Sequence, residues 1–145
     1  MVVIKKIGIK YLIMLIAFMS MLTACGISNR SIDIYYIVKE AFLTDQGYSE
    51  ELSKHISEDV FKRINIYNVY AVNNPEYKSP FKVEFNLKED SQEVKKDITY
   101  VTMTYSVTIT DYQGKAVGGS KDIPITFTVK KGENDWYIID KDEPA

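Results

Sequence analysis

This 145-residue chain is poor in the residues that most often advertise chemistry. It has one cysteine, Cys25, and one histidine, His55. A disulfide within the chain is therefore excluded, as is a zinc site built from several cysteines or histidines. A Ser-His-Asp triad has only His55 to build on, and no GxSxG elbow occurs. Glycine is scarce as well, with seven residues, and Gly118-Gly119 reads as part of a hairpin without the lysine of a phosphate-binding loop. The formal net charge is −2, so the basic excess that displaces counterions from nucleic acid is missing. No catalytic residue, metal ligand or cofactor is assigned, and a nucleic-acid partner is not expected.

One long hydrophobic run is present, and it lies at the N-terminus. Lys5, Lys6 and Lys10 precede it, and no acidic residue occurs before Asp33. The apolar stretch from Tyr11 to Met21 is interrupted only by Ser20. A helix spanning a membrane needs about 20 apolar residues, and this run is roughly half that, as in a secretory signal peptide. Leu22-Thr23-Ala24-Cys25, followed by Gly26, resembles the lipobox of bacterial lipoproteins. That resemblance implies acylation of the Cys25 thiol and cleavage before it, which would use up the only reactive sulfur. Residues 1–24 are then a signal peptide, 25–30 a short tether and 31–145 a single domain.

An acylated Cys25 implies membrane lipid as a partner and a location on the outer face of a bacterial cell membrane, or on the outer membrane of a Gram-negative cell. Two acyl chains anchor stably where one does not. The tether from Gly26 to Arg30 reaches at most about 18 Å. Removal of residues 1–24 leaves 121 residues, enough for one core. All 20 acidic residues remain while three of the 18 basic ones leave, which takes the net charge from −2 to −5.

Downstream, hydrophobic periodicity changes once. Ile34, Ile37, Val38, Ala41 and Phe42 fall on one helical stripe, with Ser31 as its expected cap. Gly47 ends that region. Ser49 and Ser57 mark two further helix starts, each followed by acids suited to the positive end of a helix dipole. Leu52 and Ile56 belong to the first of these, and Val60, Phe61 and Ile64 to the second. Ile66 to Val72 reads equally as helix end or strand.

After Pro80 the period becomes two. Phe81, Val83, Phe85 and Leu87 alternate with polar residues, and a charged turn is expected over residues 88–97. Ile98 to Thr110 is the clearest strand, with Val101, Met103, Tyr105, Val107 and Ile109 on one face and Thr102, Thr104, Ser106 and Thr108 on the other. A turn at Asp111-Tyr112-Gln113-Gly114 follows. Ile123 to Val129 forms another strand, with Pro124 expected at an edge or a strand start. A last turn at residues 131–135 leads to a strand from Trp136.

Helices followed by a meander of strands define an α+β fold, with N-terminal helices packed on a curved antiparallel sheet. That order, closing on Asp135-Trp136-Tyr137-Ile138-Ile139-Asp140, resembles the nuclear transport factor 2-like superfamily, a cone of helices against a bent sheet. A cystatin-like domain, one long helix wrapped by a sheet, is the alternative. The resemblance spans enzymes and pure binding domains, so it does not choose a function. Its isomerase-like members imply a buried carboxyl beside a tyrosine. Among the expected inward residues only Tyr105 is polar, and no acid accompanies it.

Tyr35, Tyr105, Phe127 and Trp136 are the candidate pocket residues, with core packing as their plainer role. His55 reads as a solvated or partly packed residue, and the Thr face as a docking face or a wet side of the sheet. The leading expectation is a non-enzymatic module of the cell envelope that binds a protein or a small apolar ligand. A ketosteroid-isomerase-like or dehydratase-like enzyme and an accessory subunit of an envelope assembly or secretion complex are the alternatives.

Overall fold

In the computed structural model, which describes residues 31–144, the first helical stripe becomes α1, Tyr35–Leu43. Ile34, Val38, Ala41 and Phe42 are buried along it. Ser31 is not its cap. The helix begins a full turn after it, and Asp33 Oδ1 accepts the Tyr35 N–H at 3.1 Å instead. The two other serines do cap. Ser49 Oγ accepts from Leu52 N at the start of α2, Glu50–Ser53, and Ser57 Oγ from Val60 N at the start of α3, Glu58–Ile64. A cap of this kind contributes about 1 kcal/mol. The ambiguous stretch resolves into a single turn, α4, Ile66–Val69, capped by the Asn65 side chain.

Four strands follow: β1 Lys82–Lys95, β2 Ile98–Thr110, β3 Ala116–Lys131 and β4 Trp136–Asp142. They form one antiparallel sheet in the order β1-β2-β3-β4. The fold is thus α+β, an open four-stranded sheet with a few short helices. Four register shifts interrupt the ladders, at Glu89/Ser91, Tyr105/Val107, Ile109/Thr110 and Thr128/Val129. Bulges of this kind bend a strand and tighten its twist.

Two expectations are corrected. The charged stretch 88–97 is not one long turn. β1 continues through it to Lys95, opposite Ile98, and only Lys96 and Asp97 turn. Its residues are mostly exposed there, so no apolar alternation marked the strand. Gly118-Gly119 is not a hairpin tip either, but lies inside β3 opposite Ile109 and Thr108. The turn is Asp111 to Lys115, where Gly114 N–H reaches the Asp111 carbonyl. A Cβ on Gly118 would stand 2.5 Å from the Tyr70 ring, and one on Gly119 2.8 Å from the Val107 carbonyl oxygen. Glycine is needed at both positions for close approach. Pro124 behaves as expected: it pairs with Thr104, while β4 begins its pairing with β3 only at Thr126.

The core lies between helices and sheet. Val101, Met103, Val107, Ile109, Ile125, Phe127, Val129 and Ile138 are fully or almost fully buried, facing Val38, Ala41, Leu52, Ile56, Val60 and Ile66. On the opposite face, Thr102 and Thr126 pair their hydroxyls at 3.2 Å, Thr104 donates to Asp90 at 2.6 Å and Ser106 to Asp122 at 3.1 Å. Both acids lie at register shifts, so the Thr/Ser row helps hold the irregular registers.

Candidate functional site

The alternation of β2 turns the Tyr105 ring toward the helices, where it meets Phe42 of α1 at 4.9 Å between ring centroids. Phe42 also meets Phe85 of β1 at 5.1 Å. Tyr105 is only 7% exposed, and its hydroxyl reaches the margin of this apolar cluster. There it donates to Glu143 Oε1 at 3.5 Å, and the same oxygen receives Lys141 Nζ at 2.9 Å. Beside them the Tyr70 and Ser120 hydroxyls share a hydrogen bond of 2.7 Å. Tyr70 reaches Ser120 because Gly118 leaves room for its ring.

Burial pushes the Tyr105 phenol up from its ordinary value, and the Glu143 charge and the neighbouring Tyr70 add to that effect. The group is therefore a neutral hydrogen-bond donor. It can hold a carbonyl or hydroxyl oxygen if Glu143 withdraws, but it is poorly suited to act as a base. The Glu143 carboxylate is shared with Lys141, whose side chain is only 11% exposed. The sequence offered no acid to accompany Tyr105, so Glu143 was overlooked. It lies just beyond β4, and only the antiparallel return of that strand brings it to Tyr105.

The four candidate pocket residues do not converge. Tyr105 and Phe127 occupy adjacent strands, but Tyr105 pairs with Ile123 and Phe127 with Val101, about 13 Å further along the sheet. Phe127 is fully buried and belongs to the core. Tyr35 stacks edge-on with Tyr36 at 5.4 Å, at the start of α1. Trp136 lies against His55 at 4.8 Å, on the rim of a shallow cleft with Lys54, Lys130 and Lys131. Leu22, Thr23, Ala24 and Cys25 lie outside the described residues.

His55 takes a structural part. Its carbonyl accepts the Ile138 N–H at 2.8 Å, and Ser57 N–H donates to the Ile138 carbonyl at 3.0 Å. Residues 55–57 thereby add a short parallel bridge to the outer side of β4. His55 Nδ1 has no hydrogen-bond partner and stands 3.8 Å from Asp135 Oδ1. Next to it, Tyr48 and Tyr137 both donate to the Ile56 carbonyl, at 2.6 and 3.0 Å. Burial, reinforced by the neighbouring Tyr137 hydroxyl, pushes the Tyr48 phenol up to about 12.

Among the described residues, no group of three or more His, Cys, Asp or Glu stands where it could hold a metal ion. No described helix is long and apolar enough to cross a membrane. No protein-family model matches the chain, and no curated protein matches it.

Proposed function

We propose that this protein is a lipoprotein of the bacterial cell envelope, anchored to membrane lipid through Cys25, whose α+β domain is a non-enzymatic binding module. The observation that carries the reading is Leu22-Thr23-Ala24-Cys25 placed directly behind a lysine-flanked apolar run. Chain order supports a nuclear transport factor 2-like architecture over a cystatin-like one. Among the described residues four short helices, the last three capped by Ser49, Ser57 and Asn65, precede the sheet, where a cystatin-like domain would place one long helix. Phe127, Met103 and Ile125, fully or almost fully buried, crowd the inward face of the sheet, which favours recognition at clefts on its margin. Mass spectrometry of the protein recovered from membranes tests the anchor. The expected N-terminus is a diacylglyceryl-modified Cys25, lost in Cys25→Ala. An intact Met1 with a free thiol overturns the reading.

One observation favours a second reading, an isomerase-like or dehydratase-like enzyme. A carboxylate does stand by Tyr105, at 3.5 Å. In that reading Tyr105 polarises a carbonyl and Glu143 moves a proton, which requires Glu143 to leave Lys141. Lys141→Met would then raise turnover of a β,γ-unsaturated ketone, whereas a binding module shows none with either side chain. As an accessory subunit of an envelope complex, the third reading, the same domain would copurify with that assembly from membranes in fixed stoichiometry.

A further inference from the structure

A second cleft, unconnected to Tyr105, opens between the end of α1, the α3–α4 corner and the approach to β1, with a volume of about 620 Å³. That size lies within the range of small-molecule sites. Its chemistry is unusual for this charged protein. Tyr67 and Phe81, each partly exposed, supply aromatic surface above the buried Phe61, while Asn68 and Asn73 supply amides. Neither lysine nor arginine lines it, and Asp45 is its single carboxylate. A phosphate or carboxylate ligand would find no counter-charge here. Amides both donate and accept, as sugar hydroxyls do, and flat aromatic faces suit the C–H faces of a pyranose ring.

The cleft is also held in shape beforehand. Asn65, only 2% exposed, donates one amide hydrogen to the Ala41 carbonyl and the other to the Thr44 carbonyl, both at 2.9 Å. Its Oδ1 accepts the Tyr67 N–H at 3.1 Å. One side chain thus ties the C-terminal end of α1 to the first residues of α4 and leaves Asn68 and the Tyr67 ring facing the opening. The Tyr67 hydroxyl and the Asn68 and Asn73 amides make no hydrogen bond to another described residue, and both asparagines are exposed. A rigid site lowers the ordering cost of binding.

We propose that this cleft binds a neutral oligosaccharide containing N-acetylated hexosamine, whose acetamido group offers an amide to the asparagines and a methyl to Phe81. The proposal rests on the binding-module reading but not on the anchor, so mass spectrometry at Cys25 and the following titration fail separately. The isotope-labelled full chain in detergent micelles is titrated with the β-1,4-linked trisaccharide of N-acetylglucosamine and followed by amide NMR. Shifts are expected at residues 44–47, 65–68, 73 and 79–81, with a dissociation constant of about 1 mM or tighter. Tyr67→Phe and Asn68→Ala should each weaken binding about fivefold while leaving the remaining spectrum unchanged. Asn73→Ala, in an exposed loop, serves if either variant unfolds. The absence of shifts at about twenty times that concentration overturns the proposal. So do shifts centred on Trp136, affinities indifferent to all three substitutions, or tighter binding of a neutral tetrapeptide.

Discussion

Along β4 the sheet is covered, whereas along β1 the described residues leave it open, and the two edges are built from different residues. At β4 the backbone of Ile138 is paired on its outer side by His55 and Ser57, and Arg63 closes the far end through Asp140 and the Lys141 carbonyl. At β1, 14 residues of strand carry Lys82, Glu84, Lys88, Asp90, Glu93 and Lys95, with a bulge after Glu89. Among the described residues its outer contact is a single bidentate one, the Gln92 amide accepting from Ile32 N at 3.0 Å and donating to Ile32 O at 2.8 Å. One edge is satisfied by partners within the fold. The other is kept from foreign partners by charge and irregularity.

Breaking the covered edge should have the largest effect. Ile138→Ala removes a fully buried side chain at the bridge and is expected to cost about 2–5 kcal/mol, read from the urea unfolding midpoint. Asn65→Ala comes next. It leaves the Ala41 and Thr44 carbonyls without their shared donor in a buried place, at about 1–3 kcal/mol by the same measurement.

Alkaline pH probes that side too, through Tyr48. Its raised value means that its contribution is full below about pH 10, where folded and unfolded chains both keep the proton. The contribution then declines as pH rises to about 12, because only the unfolded chain ionises readily. Urea melts across that window should show a smaller loss for Tyr48→Phe than for the parent.

Arg63→Ala should be milder. Arg63 is 41% exposed, and exposed ion pairs contribute below about 1 kcal/mol, so the sensitive reading is faster amide exchange at Asp140–Asp142 with Ile138 unchanged. The smallest effect on stability, within about 0.5 kcal/mol, belongs to Lys82→Val with Glu84→Val on the open edge, an ion pair exposed at both ends. There the expected change is concentration-dependent association by light scattering. A monomer that persists at all concentrations would show that charge is not what guards β1.

How much of this could be read beforehand depended on how local the cause was. The stripe of α1, the Ser49 and Ser57 caps, the Asp111 turn and the inward row of β2 follow from spacing within one element, and all appear where expected. Ser31 was a plausible cap defeated by where the helix begins. Residues 88–95 hid a strand because both faces there are wet, leaving hydrogen bonding to β2 as their only reason to be extended. Gly118-Gly119 resembled a turn because the cause of those glycines, the Tyr70 ring and the Val107 carbonyl, is remote in the chain. Asn65 gave no signal at all, since a lone asparagine before an apolar residue does not announce three buried hydrogen bonds.

Periodicity, caps and charge were enough to determine an α+β chain with helices first and a meander afterwards, because each depends on neighbours a few residues apart. The meeting of Tyr105 with Glu143, the separation of Tyr105 from Trp136 and the uncharged cleft above Asn65 depend on strand register and on helix ends brought together across the fold. Such contacts join residues 21 to 38 positions apart. No local pattern encodes which of the many possible pairings lets the core close without voids, so packing had to choose.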